Sequence, residues 1–257
     1  MDQIEKYLAQ LKDDKISKTI GLALLTHNRP AVLNQTLKSY KEKGFFDIFD
    51  EKIILLQENL PESRKIAEKY DVTIYSTDNN IGIGLGNNFL VDKLKTDYFI
   101  ICQDDFLLIK NNYNKEIFKS IDLIESKIID CHRLRNLEDP GEPMYSSKRH
   151  LKPKGTLNKE NASGLLYYNF LEKPQDLYPD IIHYNEEYNI YILSSKYANF
   201  TENPVLYDRK WYIKHVYNLN KISGRQAELN NQKYWEKQDF KISFGPGLFK
   251  HCDKVIF

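Results

Sequence analysis

The chain has 257 residues, and 41% of them are hydrophobic, which is enough to build a sizeable core and argues against global disorder. Its 37 lysine and arginine residues face 36 aspartate and glutamate residues, so the formal net charge is +1. This even balance argues against a dedicated nucleic-acid-binding protein, in which a basic excess is typical.

The spacing of the cysteines and the length of the apolar runs indicate the cellular compartment of the protein. Cys102, Cys131 and Cys252 are odd in number and widely spaced, which suggests reduced thiols and not a disulfide frame or a zinc site. No N-terminal stretch has the pattern of a signal peptide, and no apolar run approaches the roughly 20 residues needed to span a bilayer. We therefore expect a cytoplasmic, soluble protein in a reducing compartment, with no integral membrane segment.

The first half of the chain alternates buried strands with helices, after a short amphipathic helix predicted over residues 2–12. The predicted elements are the strand Thr19–Leu25, the helix Ala31–Lys43, the strand Lys52–Leu56, the helix Pro61–Tyr70, the strand Val72–Tyr75, the helix from Gly82 to Lys95 and the strand Tyr98–Cys102. Four strands that alternate with three helices indicate βαβ units and a parallel sheet.

Each of these four strands ends in a polar cluster, in the order THNRP, QEN, TDNN and QDD. Parallel strands bring their carboxyl ends to one edge of the sheet, where open α/β sheets bind their ligands. The four clusters therefore predict one cleft for a polar ligand.

The last cluster carries two adjacent carboxylates. Asp104 and Asp105 stand between the apolar runs Tyr98–Cys102 and Phe106–Leu108, where carboxylates are costly without a partner. A divalent cation is one such partner, and a solvated turn between two core strands is the equally weighted alternative.

The second half of the chain is less regular. The predicted elements are the helix Tyr113–Glu125, the strand Lys127–Leu134, a long loop over Asn136–Lys159, the strands Leu165–Phe170 and Ile190–Leu193, the helices Leu206–Tyr217 and Gln226–Glu236, and the strand Phe240–Phe244. No break in composition marks a second domain, so residues 1–257 are predicted to form one domain.

Several common enzyme motifs are missing. A GxGxxG fingerprint that starts at Gly82 would need glycine at position 87, where Asn87 stands. The sequence has no GxxxxGK[ST] loop, no Cys or His spacing typical of zinc sites and no GxSxG elbow. These absences argue against a dinucleotide-dependent dehydrogenase, a P-loop NTPase, a zinc hydrolase and a serine hydrolase.

Three features, in order, resemble the GT-A-fold glycosyltransferases of the family-2 type. They are a strand followed by THNRP and a helix, TDNNIGIGLGNN before a helix, and ICQDD, which resembles the acidic DXD signature. The resemblance covers residues 19–110 well. Two positions depart from it, because the second strand ends in Gln57-Glu58-Asn59, where many relatives have Asp, and Gln103 replaces an acidic residue at the start of the signature.

The resemblance implies an α/β, GT-A (Rossmann-like) fold. Its mixed central sheet is expected to be parallel in the N-terminal half and flanked by helices. Residues 19–110 would form the nucleotide-sugar-binding half, and residues 111–257 the acceptor side.

The resemblance also implies a donor site that contains Mn²⁺ or Mg²⁺. A nucleoside diphosphate leaves as an anion that needs neutralising, and a cation held by one or two carboxylates supplies the charge. Asp105 would bind the metal, His251 would add a metal or diphosphate contact, and Asp104 would contact the ribose, the sugar or a metal-bound water. The residues expected to bind the donor are Thr26, Asn28, Arg29, Glu58, Asp78, Asn80, Gly82, Asp104 and Arg133.

Turn chemistry and helix capping are the alternative explanation for the Asn and Asp residues of this set. Relatives often place their general base just before a helix such as the one that carries Glu228, and Asp104 and Glu228 are the predicted catalytic residues. For Glu228 a solvated helix face is the alternative.

The predicted function is metal-dependent transfer of a hexose from a UDP-sugar donor, of UDP-glucose type, to a glycan acceptor. Two alternatives remain open. One is a nucleotidyltransferase that makes a nucleotide sugar, although THNRP lacks the Gly-rich basic loop usual in that class. The other is a catalytically silent nucleotide-sugar-binding module.

Overall fold

A computed structural model describes residues 18–142, 151–152, 156–157, 166, 173–202, 204–223, 227–252 and 254. The helix predicted over residues 2–12 lies outside the described residues, as does the strand predicted over Leu165–Phe170 apart from Leu166. Within the described part, no helix is both long enough and apolar enough to cross a membrane.

The first half of the chain folds as the sequence predicts. Its elements are β1 (Ile20–His27), α1 (Pro30–Glu42), β2 (Glu51–Gln57), α2 (Pro61–Ala67), β3 (Thr73–Thr77), α3 (Ile83–Lys93) and β4 (Tyr98–Gln103). The four strands are parallel and lie in the order β4-β1-β2-β3. The apolar runs of β1, β2 and β4 are buried because helices cover both faces of such a sheet, whereas β3, the last strand of this order, is only partly buried.

Proline begins both of the first two helices. Pro30 and Pro61 each stand in the first turn, where the missing N–H group costs no hydrogen bond. Helix α1 then buries Val32, Leu33 and Leu37, whose spacing places them on one helical face. This packing fixes the short turn between β1 and α1, which carries the first polar cluster.

The second half completes the sheet. Its elements are β5 (Phe106–Leu108), α4 (Tyr113–Glu125), β6 (Cys131–Arg135), β7 (Gly141–Glu142), β8 (Leu151–Lys152), β9 (Thr156–Leu157), α5 (Pro174–Leu177), β10 (His183–Asn185), β11 (Ile190–Ser194), β12 (Val205–Asp208), α6 (Arg209–Tyr212), α7 (Asn218–Ser223), α8 (Ala227–Trp235) and β13 (Lys241–Cys252). Among the described residues the main sheet runs β10-β11-β13-β6-β12-β4-β1-β2-β3, with β5 and β7 paired to β13.

The prediction of a helix over Leu206–Tyr217 is wrong at its start. Residues Val205–Asp208 form strand β12, which pairs antiparallel with both β4 and β6. This segment forms a strand because it lies inside the sheet, where the apolar side chains of β12 are buried between two neighbouring strands. The helical segment begins at Arg209, where the Asp208 carboxylate accepts a hydrogen bond from the Trp211 N–H at 2.9 Å.

Two other predicted boundaries also differ. The strand predicted over Lys127–Leu134 begins only at Cys131, because α4 ends in a turn in which Lys127 has a φ of 58°. The predicted loop over Asn136–Lys159 contains β7 and the small hairpin β8-β9.

Strand β13 continues beyond the predicted strand Phe240–Phe244 through a kink at Gly245-Pro246-Gly247. Its pairing with β6 shifts register between Phe244 and Phe249. Gly247 has a φ of +78°, and a Cβ atom there would lie 2.2 Å from the carbonyl oxygen of Arg135. Only glycine fits this close approach. Beyond the kink, β13 pairs with β5 and places His251 opposite Phe106.

Candidate active site

A cleft of about 540 Å³ lies at the carboxyl ends of the four parallel strands. Residues at or just beyond the end of each strand line it, among them Thr26 near the end of β1, Gln57 at the end of β2, Asn80 after β3 and Asp104 after β4. The predicted convergence of the four polar clusters at one edge of the sheet is therefore present.

Asp104 is the most enclosed group of the cleft, with a side chain that is 0% exposed. Its Oδ2 accepts a hydrogen bond from Oγ1 of Thr26 at 2.5 Å, and its Oδ1 pairs with the guanidinium of Arg29. Thr36 donates to the backbone carbonyl of Asp104 at 2.6 Å. Burial raises the pKa of Asp104 to about 6, although Arg29 and Thr26 act against it.

Asp105 contacts residues from both the N-terminal and the C-terminal parts of the chain. Its Oδ2 lies 2.9 Å from Nη1 of Arg29 and 3.4 Å from Nε2 of His251. Its carbonyl oxygen accepts the N–H of Cys252 at 2.7 Å. Burial raises the pKa of Asp105, but the hydrogen bond to His251 and the positive charge of Arg29 outweigh it and leave the pKa below its usual value.

The second carboxylate oxygen of Asp105 fits a metal ligand. Oδ1 is buried and has no hydrogen-bond partner within the described part of the chain, and such a carboxylate oxygen is costly to leave unsatisfied. Together with the nearby imidazole of His251 it could hold a divalent cation whose other ligands come from a diphosphate and water. The described residues contain no group of three or more His, Cys, Asp or Glu side chains arranged as a metal site.

A second polar group lies on the β1–β3 side of the cleft. Asn28 and His27 both contact the carboxylate of Glu58, with His27 Nε2 at 3.1 Å from Oε2. The amide of Asn80 lies 3.3 Å from the ring of His27. Hydrogen bonds from Asn28 and His27 lower the pKa of Glu58.

The loop before α3 closes this side of the cleft. Oδ1 of Asn80 accepts the N–H of Gly82 at 2.8 Å, and Gly82 has a φ of +84°. This conformation at the start of the helix favours glycine, because it has no Cβ atom.

Of the predicted site residues with described side chains, Glu58, Asp105 and His251 contact the lining of this cleft or each other, whereas Asp78 and Arg133 do not line it. Asp78 lies in the exposed turn after β3. Arg133 lies in β6, two strands from β4, and its guanidinium contacts Asn199 and stacks on Phe244 at 4.9 Å. Glu228 belongs to α8, and its side chain lies outside the described residues.

The sequence predicts no site role for His27, Thr36 or Gln57, which contact or line the site. His27 and Gln57 belong to the polar clusters THNRP and QEN, so their position at a strand end was the available signal. Thr36 gives no such signal, because it lies in the middle of α1.

Comparisons with known proteins agree with this geometry. The model of the family described as glycosyl transferase family 2 matches residues 22–229. Among curated proteins, no sequence matches this chain.

Solved structures show the same fold at low sequence identity. A mycobacterial protein matches with a TM-score of 0.52 and 13% identity over 97% of this chain and 72% of its own. Glucosyl-3-phosphoglycerate synthase from Mycobacterium tuberculosis, solved with Mn²⁺, UDP and phosphoglyceric acid, matches with a TM-score of 0.52 and 12% identity over 96% of this chain and 75% of its own. GalNAc-T7, solved with UDP, GalNAc and Mn²⁺, matches with a TM-score of 0.52 and 12% identity over 92% of this chain and 43% of its own.

The sheet order, the position of the cleft and the structural matches confirm the predicted GT-A fold. The family model covers most of the chain, including every strand whose end lines the cleft. The chain therefore belongs to glycosyl transferase family 2 and is a glycosyltransferase.

Proposed function

We propose that this enzyme transfers a hexose from a UDP-sugar, of UDP-glucose type, to a glycan acceptor. The observation that carries the proposal is the buried pair Asp104–Asp105 after β4, in which Oδ1 of Asp105 has no partner among the described residues and Oδ2 lies 3.4 Å from His251. Two structural neighbours were solved with UDP and Mn²⁺, which supports the choice of donor.

Asp105 and His251 would hold Mn²⁺ or Mg²⁺. When bound, the cation would neutralise the diphosphate as it leaves. Asp104 and Thr26 would orient the ribose and the donor sugar from the floor of the cleft. Arg29 contacts both carboxylates and would meet the negative charge of the diphosphate.

The transfer would join the acceptor hydroxyl oxygen to the anomeric carbon of the sugar. The bond between that carbon and the β-phosphate oxygen would break, and UDP would leave. The acceptor proton would pass to a carboxylate within hydrogen-bond reach, and Glu228 on α8 is our candidate for this base. Replacing Glu228 by Gln would abolish transfer if the reaction inverts the anomeric centre.

The 1–257 chain would act as one domain, with the donor bound over residues 19–110 and the acceptor over 111–257. Asn28, Glu58, Asn80 and Gly82 would border the nucleoside, and Arg133 would reach the acceptor side. The three cysteines are free, which supports a reducing compartment such as the cytoplasm.

Thermal unfolding with UDP tests the donor site. UDP is expected to raise the melting temperature only when Mn²⁺ or Mg²⁺ is present, because a ligand of the folded state stabilises by mass action. Asp105→Ala should remove this shift, whereas Asp71→Ala, at an exposed carboxylate paired with Lys52, should keep it. The absence of a shift with any nucleoside diphosphate would refute the donor site.

Release of UDP from a UDP-sugar separates the enzyme from a silent binding module. Slow hydrolysis in the wild type, lost in Asp105→Ala, is expected of the enzyme. A module that binds UDP-sugar without turnover would give the thermal shift and no release. Formation of a UDP-sugar from UTP and a sugar phosphate would instead favour the nucleotidyltransferase.

A further inference from the structure

Thr36 is a buried polar residue in the middle of α1. It is 0% exposed, and the other buried side chains of this helix include Val32, Leu33 and Leu37. A hydroxyl group in such surroundings is costly unless it forms a hydrogen bond. Oγ1 of Thr36 donates to the backbone carbonyl of Asp104 at 2.6 Å, across 68 residues of chain. This contact accounts for a hydroxyl group among apolar neighbours.

Two further side chains of α1 hold the segment that follows the acid pair. The hydroxyl group of Tyr40 donates to the carbonyl oxygen of Phe106 at 2.9 Å. Oγ of Ser39 accepts the N–H of Leu108 at 3.1 Å. Residues 36, 39 and 40 share one helical face because they are spaced by three and four positions. Since β5 pairs only with β13 among the described strands, this face of α1 bonds backbone groups on the side of β5 that has no neighbouring strand.

Three different elements hold the backbone of the acid pair. The N–H of Asp104 donates to the carbonyl oxygen of Leu25 in β1 at 3.1 Å. The carbonyl oxygen of Asp105 accepts the N–H of Cys252 in β13 at 2.7 Å. Between these two groups lies the carbonyl of Asp104, which Thr36 holds. A peptide unit is planar, so the orientation of this carbonyl also fixes the N–H group and the Cα atom of Asp105.

We propose that Thr36 is a positioning residue, which orients the Asp104–Asp105 peptide group so that the Asp105 carboxylate can bind the cation of the donor site. The inference rests on the proposed function, since it needs a metal ion and a nucleoside diphosphate in the cleft. Groups that orient metal ligands contribute to metal affinity without touching the ion. Thr36 does not line the cleft, so it would act only through the acid pair.

Thr36→Val is the discriminating variant. It keeps the branched shape of the side chain but has no hydroxyl group, so the carbonyl oxygen of Asp104 loses its donor. With UDP present, the affinity for Mn²⁺ should fall about tenfold or more, which is typical of the loss of a group that orients a metal ligand. Thr36→Ser keeps the hydroxyl group and should bind Mn²⁺ as tightly as the wild type does. Electron paramagnetic resonance of the free ion measures both affinities.

Ser195→Ala is the matched control for lost stability. Ser195 is also 0% exposed, and its Oγ accepts the N–H of Phe240 at 3.0 Å. Phe240 stands just before β13, at the opposite end of that strand from His251. Ser195→Ala and Thr36→Val each remove one buried hydroxyl group, so both should lower the midpoint of urea unfolding. Ser195→Ala should nevertheless keep the wild-type affinity for Mn²⁺ with UDP.

Three results overturn the proposal. If Thr36→Val binds Mn²⁺ as tightly as the wild type, the hydroxyl group does not position the ligand. If Ser195→Ala loses as much affinity as Thr36→Val, the loss follows global stability. If Thr36→Ser loses as much as Thr36→Val, the hydrogen bond is not the cause.

Thr36→Cys decides the question if Thr36→Val does not fold. Its thiol is only a weak donor, so it should bind Mn²⁺ more weakly than Thr36→Ser does. Equal affinities in these two variants would also refute the positioning role.

Failure of the proposed function has a different signature. In that case the wild type itself shows no Mn²⁺ binding that depends on UDP. Failure of the inference about Thr36 leaves this binding intact in the wild type.

Discussion

Nη1 of Arg29 lies 2.9 Å from Oδ2 of Asp105, while the other end of the same guanidinium pairs with Asp104. Arg29 thus neutralises the two carboxylates that the proposed function assigns to the metal and the donor. A bound cation would also stabilise these carboxylates, because it would bring positive charge to the same oxygens.

Arg29→Met tests whether Arg29 and a bound cation stabilise the same two carboxylates. Without metal, the variant leaves two buried carboxylates without their cationic partner and should lower the free energy of unfolding by about 1–3 kcal/mol. Addition of Mn²⁺ should then raise the melting temperature more in the variant than in the wild type. Arg64→Met, at a partly exposed arginine that contacts Asn59 and Ser76, is the control. If Mn²⁺ raises the melting temperature equally in Arg29→Met and in the wild type, the cation does not replace the positive charge of Arg29.

The pKa of Asp104 predicts a pH-dependent stability of the metal-free protein. The folded protein keeps this proton up to about pH 6, whereas an unperturbed Asp releases it near its ordinary pKa of 3.8. Between these pH values the folded state binds one proton more than the unfolded state. The Asp104 contribution to the free energy of unfolding therefore decreases by about 3 kcal/mol as the pH rises from 4 to 6.

Asp104→Asn should flatten this part of the profile, since the amide does not titrate. Urea unfolding at a series of pH values, with a chelator present, gives the slope. A wild-type profile that rises from pH 4 to 6 with the same slope as that of Asp104→Asn would show that burial of Asp104 does not govern this range.

His251→Ala should weaken Mn²⁺ binding in the presence of UDP. Its imidazole lies beside Oδ2 of Asp105, and the loss of a neighbouring ligand typically costs about tenfold or more in metal affinity. Titration of Mn²⁺ by electron paramagnetic resonance measures the free ion directly. His183→Ala, at an exposed histidine on β10, is expected to keep the wild-type affinity. An unchanged affinity in His251→Ala would remove this residue from the metal site.

Glu116 should stabilise the kink that brings His251 to the cleft. Its buried Oε1 accepts the N–H of Gly247 at 2.9 Å and lies 3.3 Å from Nε2 of His132. Glu116→Ala leaves both groups buried without an acceptor and should lower the free energy of unfolding by about 2–4 kcal/mol. Glu116→Gln keeps an acceptor oxygen and should cost less than half as much. Equal losses in chemical denaturation would mean that packing, and not the hydrogen bonds, accounts for the effect.

Local sequence determined the N-terminal half of the fold. Apolar runs that end in polar clusters predicted β1 to β4, a parallel sheet and the convergence of THNRP and QDD at one edge of it. These features depend on residues close together in sequence, since burial on both faces demands continuous apolar runs. The candidate pair Asp104–Asp105 was found for the same reason.

Tertiary structure decided what the local pattern leaves open. Val205–Asp208 reads as helical, yet the gap between β4 and β6 makes it a strand. The kink at Gly247 carries His251 to Asp105, and Arg29 pairs with both carboxylates of the acid pair. Each of these outcomes depends on atoms brought together across 70 or more residues of chain by the folded sheet. Hydrogen bonds and burial act through space, so the sequence supplied the polar groups and the fold determined which of them meet.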